Sequence, residues 1–308
     1  RESPWQQTFG SRISMNTEKK ASHWSDYWQS GNKSTFNQAF PDGYDKELKQ
    51  FWLQKFECLK NNSQIIDLGA GNGALCDLIF EAFDKRTQAP VIHALDFSEI
   101  RIDKPEYYKG DLNLIPNTPM EQLPFKDATI DLAISQYGFE YSNVESSIDE
   151  LARVMKKSGQ LIFITHGSQS AIMHESKQKL EQVVLCYSRT SLITNFKKLV
   201  RLLGGRSPEQ LSTASRKQAD KTRDKINKEL VILNDAIRQW QQSEYIHYFM
   251  NKLIDIFEAK CCRNTVEARL AELNRLDQEV KSFKLRLNDL IASCITEQRK
   301  QLISDKLI

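Results

Sequence analysis

The run Ile65–Gly73, IIDLGAGNG, constrains what this chain can fold into more than any other stretch. Ile65, Ile66 and Leu68 make a short apolar strand of the kind buried in a parallel sheet. Gly69, Gly71 and Gly73, with Ala70 between the first two, remove side chains where the backbone must turn sharply and approach a ligand closely. Ala74–Phe83 (ALCDLIFEAF) then has apolar residues at helical spacing, so the loop opens onto a helix N-terminus. Asp67, at the end of the strand, separates two readings. A dinucleotide loop of the form Gly-x-Gly-x-x-Gly holds a pyrophosphate on the helix N-terminus. A carboxylate beside the loop would repel a pyrophosphate and suits the ammonium of an amino-acid moiety.

The downstream segments agree. Val91–Ser98 (VIHALDFS) is a second apolar run ending in Asp96, a carboxylate placed to accept hydrogen bonds from both hydroxyls of a ribose. A third, weak strand is expected near Tyr107–Asp111. A fourth follows a turn within Leu123–Ser135 (LPFKDATIDLAIS), and a fifth is Gly159–Thr165 (GQLIFIT). Strands alternating with helices give an α/β, Rossmann-like, doubly wound and mostly parallel sheet.

IIDLGAGNG, the acid of VIHALDFS, the run MEQLPFKDATIDLAIS and the stretch LARVMKKSGQLIFITHG resemble, in order and spacing, the class I S-adenosylmethionine-dependent methyltransferases. Within them, the resemblance is to the branch that includes the ubiquinone and menaquinone methyltransferases (type 11). It covers roughly Asp45 to Gly167, about 40% of the chain. The resemblance implies S-adenosyl-L-methionine as cofactor. It implies that Asp67 orients the methionine ammonium through the loop of Gly69, Ala70, Gly71 and Gly73, and that Asp96 holds the ribose with Phe97 on the adenine. Met120 and Glu121 match the segment that flanks the adenine, and Ser135 and Gln136 would face the methionine and the acceptor. One departure stands out: the Gly-Asp pair found just before the LPF segment in the family is separated from it here by LNLIPNTP. The partner of the adenine amino group is therefore Asp111, Met120 or Glu121.

Methyl transfer from a sulfonium is an in-line displacement, so a protein supplies alignment and, for a protonated nucleophile, a general base. Catalytic candidates lie at the C-terminal ends of the strands. Tyr137, Glu140 and Tyr141 follow the fourth strand, and His166 follows the fifth. His166 is the best base by chemistry, its reference pKa lying near neutrality.

At 308 residues with 40% hydrophobic composition, the chain holds one large or two modest domains, and no apolar run approaches the roughly 18 residues of a membrane span. Residues 1–14, ahead of Met15, read as a vector-derived or disordered leader, and 15–168 as the cofactor-binding domain with N-terminal helices. The six cysteines form no Cys-x-x-Cys pair and have no histidines at ligand spacing, which favours free thiols in the cytoplasm over a metal site.

Residues 169–308 read as an all-helical insertion or appendage. From Glu209 to Ile308 there is neither glycine nor proline. Val266, Leu273, Val280 and Leu287, with Leu276, Phe283 and Leu290, trace an a/d seam, read as an antiparallel hairpin or as a coiled coil making a homodimer. The hairpin that normally completes a seven-stranded sheet is not found, so the chain is truncated or the sheet ends early. Up to His166 there are 18 basic and 23 acidic residues, against 25 and 17 from Gly167 onward. The favoured function is methyl transfer to a small, possibly anionic acceptor, with the helices as lid and acceptor wall. The alternatives are a methyltransferase of RNA or protein, docking through basic helices, and a non-catalytic scaffold. Nucleic acid is not favoured, because the basic segment Lys197–Lys228 lacks interleaved aromatics.

Overall fold

The computed structural model describes residues 23–35, 46–206, 208–258 and 265–307. The expected leader, Asp45, Cys261 and Cys262 lie outside them. The chain divides into two compact units: unit 1 runs up to Met173 and resumes with Ala292–Ile308, while unit 2 is His174–Ile291.

Unit 1 begins with helices α1 (23–29) and α2 (Lys46–Glu57) and continues through β1 (Gln64–Leu68), α3 (Ala74–Ala82) and β2 (Val91–Leu95). Then come β3 (Leu112–Ile115), β4 (Ile130–Gln136), α4 (Val144–Val154) and β5 (Met155–Ile164). The chain passes through α5 (Ala171–Ser188), α6 (Leu192–Leu203), α7 (Thr213–Gln239), α8 (Glu244–Phe257) and α9 (Val266–Ser293), and returns as α10 (Glu297–Leu307). The five strands are parallel in the order β3-β2-β1-β4-β5. The order reverses between β1 and β4, and at such a switch point the C-terminal strand ends open a crevice.

Each face of the sheet has its own apolar cluster. Trp52 and Phe56 of α2 pack with Leu75, Leu78, Ile79 and Phe80 around Ile65, Ile92 and Ile134. On the other side Ile148, Leu151 and Val154 of α4 pack on Ile66, Leu68 and Ala133. Burying side chains of this size stabilises by about 1.5–3 kcal/mol each, before conformational entropy is charged against it.

The third strand lies later than expected. Residues 107–111 do not form it; it is LNLI, the start of the stretch that departs from the family pattern. Tyr108 is instead a buried plug: its ring lies 4.7 Å from that of Phe80, and its hydroxyl donates to the Pro90 carbonyl at 2.7 Å.

The expected helical region 169–308 loses its last segment to unit 1. Gly167 pairs with Ile295 in a parallel bridge, the Ile295 N–H donates to the His166 carbonyl at 2.7 Å, and the Ser168 N–H donates to the Ile295 carbonyl at 3.0 Å. Ile295 and Ile303 pack against the α4-side cluster, and Lys306 pairs with Asp149 at 2.8 Å. The chain therefore leaves and re-enters unit 1 at one place.

Unit 2 is a bundle of several helices. Leu273, Leu276, Val280 and Leu287 of the a/d seam are buried in one cluster with Ile226 and Leu233 of α7, Phe249 and Leu253 of α8, and Phe196 of α6. The seam is covered by the chain's own helices, with more partners than a two-helix hairpin provides. No helix among the described residues is long and apolar enough to cross a membrane, and no cluster of metal-binding side chains occurs among them.

Candidate active site

The glycine loop joins β1 to α3, and all three of its glycines have positive φ. The N–H groups of Gly69 and Ala70 both donate to the Leu95 carbonyl, at 2.9 and 2.8 Å, which ties the loop to the end of β2. Asp67 is buried next to the last residue of β1, where it accepts from the Cys76 thiol at 3.6 Å. Burial pushes its pKa up to about 7; the thiol hydrogen bond opposes this rise and the nearby Asp96 adds to it. Asp96 follows β2 and receives the Gly71 N–H on Oδ2 at 2.9 Å and the Ser98 N–H on Oδ1 at 2.8 Å. The Ser98 side chain and the Phe97 main-chain N–H also hydrogen-bond this carboxylate. Burial raises its pKa, and these backbone hydrogen bonds lower it. Phe97 beside it is half-buried.

An N-terminal clamp closes on this loop. A Cβ at Gly71 would lie 2.7 Å from the Trp28 indole, so Trp28 of α1 rests directly on the glycine backbone. The Asn72 side-chain amide donates to the carbonyls of Trp28 and Asn32, each at 2.8 Å. Lys33 donates to the Asn72 carbonyl and pairs with Asp77, also at 2.8 Å each. Trp24 stacks on Trp28 and meets the Tyr141 ring edge-on, building an aromatic wall.

The end of β4 makes the opposite side. A Cβ on Gly138 would lie 2.7 Å from the Leu68 carbonyl, so the β1 and β4 ends touch backbone to backbone. Met120 packs at the same spot, its Cε 3.3 Å from where a Cβ on Gly69 would be. Glu121 accepts the Asn143 N–H at the start of α4. Asp111 lies elsewhere: it immediately precedes β3, which is parallel to β2, and so stands at the N-terminal edge of the sheet. Because LNLI is the strand itself, Asp111 is removed from the candidates for the adenine, and Met120 and Glu121 remain. Ser135 does not present its hydroxyl to a ligand. It is fully buried, donates to the Leu68 carbonyl at 2.7 Å and accepts the Phe139 N–H at 2.9 Å. Gln136 is buried and its Oε1 accepts the Trp52 indole N–H. An indole only donates, so this contact turns the Gln136 amide with its NH₂ the other way, and that Nε2 has no hydrogen-bond partner among the described residues.

Tyr137, Glu140 and His166 lie together beyond the ends of β4 and β5. Tyr137 has φ +59°, an uncommon conformation for a non-glycine residue, and its ring stacks on His166 with centroids 4.3 Å apart. Glu140 Oε1 accepts the His166 main-chain N–H at 2.8 Å and lies 3.9 Å from its Nε2. Both side chains are completely buried. Burial moves the two pKa values in opposite directions, Glu140 up to about 7 and His166 down to about 4. His166 is thus a neutral imidazole and a weak base near neutrality. Glu140 titrates where a base is useful.

Residues 66–163 match the family model described as a methyltransferase domain. They are a methyltransferase domain. A relative in Methanocaldococcus jannaschii, the uncharacterized protein MJ0638, is 28% identical over 132 residues, covering 40% of this chain and 49% of its own. The chain thus spans about half the length of that curated relative. Among solved structures, the YcgJ protein from Bacillus subtilis is 19% identical with a TM-score of 0.31, covering 44% of this chain and 57% of its own. Geranyl diphosphate C-methyltransferase from Streptomyces coelicolor is 12% identical with a TM-score of 0.32, covering 43% and 52%.

Three features of this methyltransferase domain escape sequence reading. Asn72, one position inside the glycine run, fastens the N-terminal segment. Gly138 permits the β1–β4 contact. Trp52 is buried in the core, and its indole N–H also fixes the Gln136 amide. Only Gly138 left a signal, as a glycine just beyond a strand end.

Proposed function

We propose that this protein transfers a methyl group from S-adenosylmethionine to a small-molecule acceptor. The reading is carried by two buried carboxylates, Asp67 and Asp96, at the C-terminal ends of neighbouring strands and on either side of a three-glycine loop. When bound, the cofactor supplies an electrophilic methyl group on a sulfonium. Asp67 suits a ligand ammonium, because a cation beside it would offset the desolvation that now raises its pKa. Asp96 accepts from the ribose hydroxyls, with Phe97, Met120 and Glu121 around the adenine. Trp28 and Tyr141 wall the loop, and Gln136 presents an oriented amide donor.

Glu140 serves as the base where the acceptor carries a proton, with His166 and Tyr137 as the stacked wall beside it. A small acceptor is favoured because these polar groups are buried: Glu140 and His166 are 0% and 1% exposed. A macromolecule would need such groups within reach of its own surface. Calorimetry on the full chain with S-adenosylmethionine and its demethylated product tests the reading. Binding is expected with both, and Asp96→Ala should weaken it about 10–150-fold, the equivalent of about 1.5–3 kcal/mol for hydrogen bonds to a charged group. A folded protein that binds neither compound at millimolar concentration would overturn it.

A further inference from the structure

Helix α7 carries a one-sided row of cations. Lys217, Lys221, Lys225 and Lys228 stand at spacings of four, four and three residues, which keeps them on one flank along about 16 Å of helix. All four are exposed, and among the described residues no ion pair ties any of them. The neighbouring acid Asp220 is engaged by Arg223 at 3.1 Å, and Asp224 is the other carboxylate on these turns. The opposite flank, with Ala219, Thr222, Ile226 and Leu233, is buried in unit 2, so the lysines are the outward surface of a fixed helix. One turn beyond Lys228 the same row ends on Ile232, 48% exposed, beside Val231 at 56%. Residues 174–291 hold 22 Lys/Arg against 15 Asp/Glu, so no excess of acid elsewhere in unit 2 cancels the row.

The chemistry of the row selects among anionic partners. Protein interfaces are depleted in lysine and enriched in arginine and aromatics, and this row has neither. Single-stranded nucleic acid requires stacking rings, also absent from the row. Base edges in a duplex are read chiefly by arginine forks or amides, and two exposed β-branched aliphatics have no use on a phosphate backbone. An anionic bilayer surface uses both parts: lysines attract the headgroup layer, and aliphatic tips enter the headgroup–acyl boundary. We propose that α7 is a peripheral docking surface for an anionic lipid bilayer, with the four lysines as the electrostatic contact and Val231 and Ile232 as the shallow anchor.

The test is co-sedimentation of the full chain with vesicles of phosphatidylcholine alone or mixed with phosphatidylserine. Binding is expected only to the mixed vesicles and should weaken steeply as salt is raised. Each neutralised lysine should lower partitioning about fivefold, so Lys217→Gln, Lys221→Gln, Lys225→Gln and Lys228→Gln together should lower it by several hundredfold. Glutamine at exposed helical positions keeps the helix, which circular dichroism checks. Val231→Ser with Ile232→Ser should weaken binding while preserving its salt dependence. Equal binding to both vesicle types, no binding to the mixed vesicles, or unchanged binding by the quadruple variant would each overturn the proposal. Tighter binding to a duplex RNA or a polyglutamate peptide than to the mixed vesicles would also overturn it and reassign the surface.

Discussion

The main-chain N–H of His166 donates to Glu140 Oε1 at 2.8 Å, which leaves the Glu140 carboxyl proton to Oε2. That oxygen has no hydrogen-bond partner among the described residues. One carboxylate thereby links the β4 loop to the end of β5.

Stability should depend on pH through these buried groups. Burial raises the pKa of Glu140 and of Asp67 to about 7 in the folded protein, from 4.5 and 3.8. Between those values the folded state binds more protons than the unfolded one, so stability is lost as pH rises through about 7. His166, pushed down to about 4, acts oppositely below 6.5, where the unfolded imidazole takes up a proton. Two carboxyls outweigh one imidazole, so the melting temperature should fall from about pH 5 to about pH 8. Glu140→Gln should flatten that fall in scanning calorimetry; the same slope in the variant would remove Glu140 from this account.

Gly138→Ala should destabilise unit 1 by about 1–3 kcal/mol, because the new methyl meets the Leu68 carbonyl at 2.7 Å and the Ser135 hydroxyl at 3.1 Å. Gly167→Ala, with nothing within 4 Å of the added carbon, is the control and should be nearly neutral. Urea unfolding midpoints distinguish them, and equal shifts would contradict the backbone contact.

Leu273→Ala should cost about 2–5 kcal/mol, since the side chain is fully buried in the bundle core. Val231→Ser, at a position 56% exposed, should change stability by less than about 0.5 kcal/mol. Guanidinium titrations followed by circular dichroism measure both. A Leu273→Ala loss that shrinks as protein concentration rises would instead place the seam between chains.

Excising His174–Ile291 and joining its ends with a short glycine-serine linker should leave affinity for the cofactor within about threefold, because Asp67, Asp96 and the glycine loop belong to unit 1. Calorimetry on the folded remainder decides this. A far larger loss would show that the bundle supports the loop.

Much of unit 1 was legible because β1 and β2 are short apolar runs followed by a glycine or an acid and β4 is a third buried apolar run, a pattern that burial on both faces demands. β3 was not. LNLI is half-exposed at the sheet edge and carries asparagine, so periodicity alone does not distinguish it from a loop. Asp67, Asp96 and the glycines stand out in the sequence because their types at strand ends have few other uses. Ser135 shows the limit of that reasoning: a hydroxyl at a strand end looks like a ligand contact, and here it bridges two backbones. The Asn72 clamp joins residues about 40 positions apart, and no local pattern encodes such a contact. The seam of α9 was visible as a repeat, but the repeat does not say how many helices cover it.

The bridge between Gly167 and Ile295 has a consequence for how the protein is made. Its partners are about 130 positions apart, so at 5–20 residues per second Ile295 leaves the ribosome on the order of ten seconds after Gly167. Until then the cluster around Ile66, Leu68 and Leu151 lacks Ile295 and Ile303, and part of its apolar surface stays open to water. Closing so long a loop is entropically unfavourable while residues 174–291 are an unfolded coil, and less so once they have collapsed into their own core. The nascent chain should therefore form the bundle before the sheet is sealed, with a chaperone-sensitive interval in between.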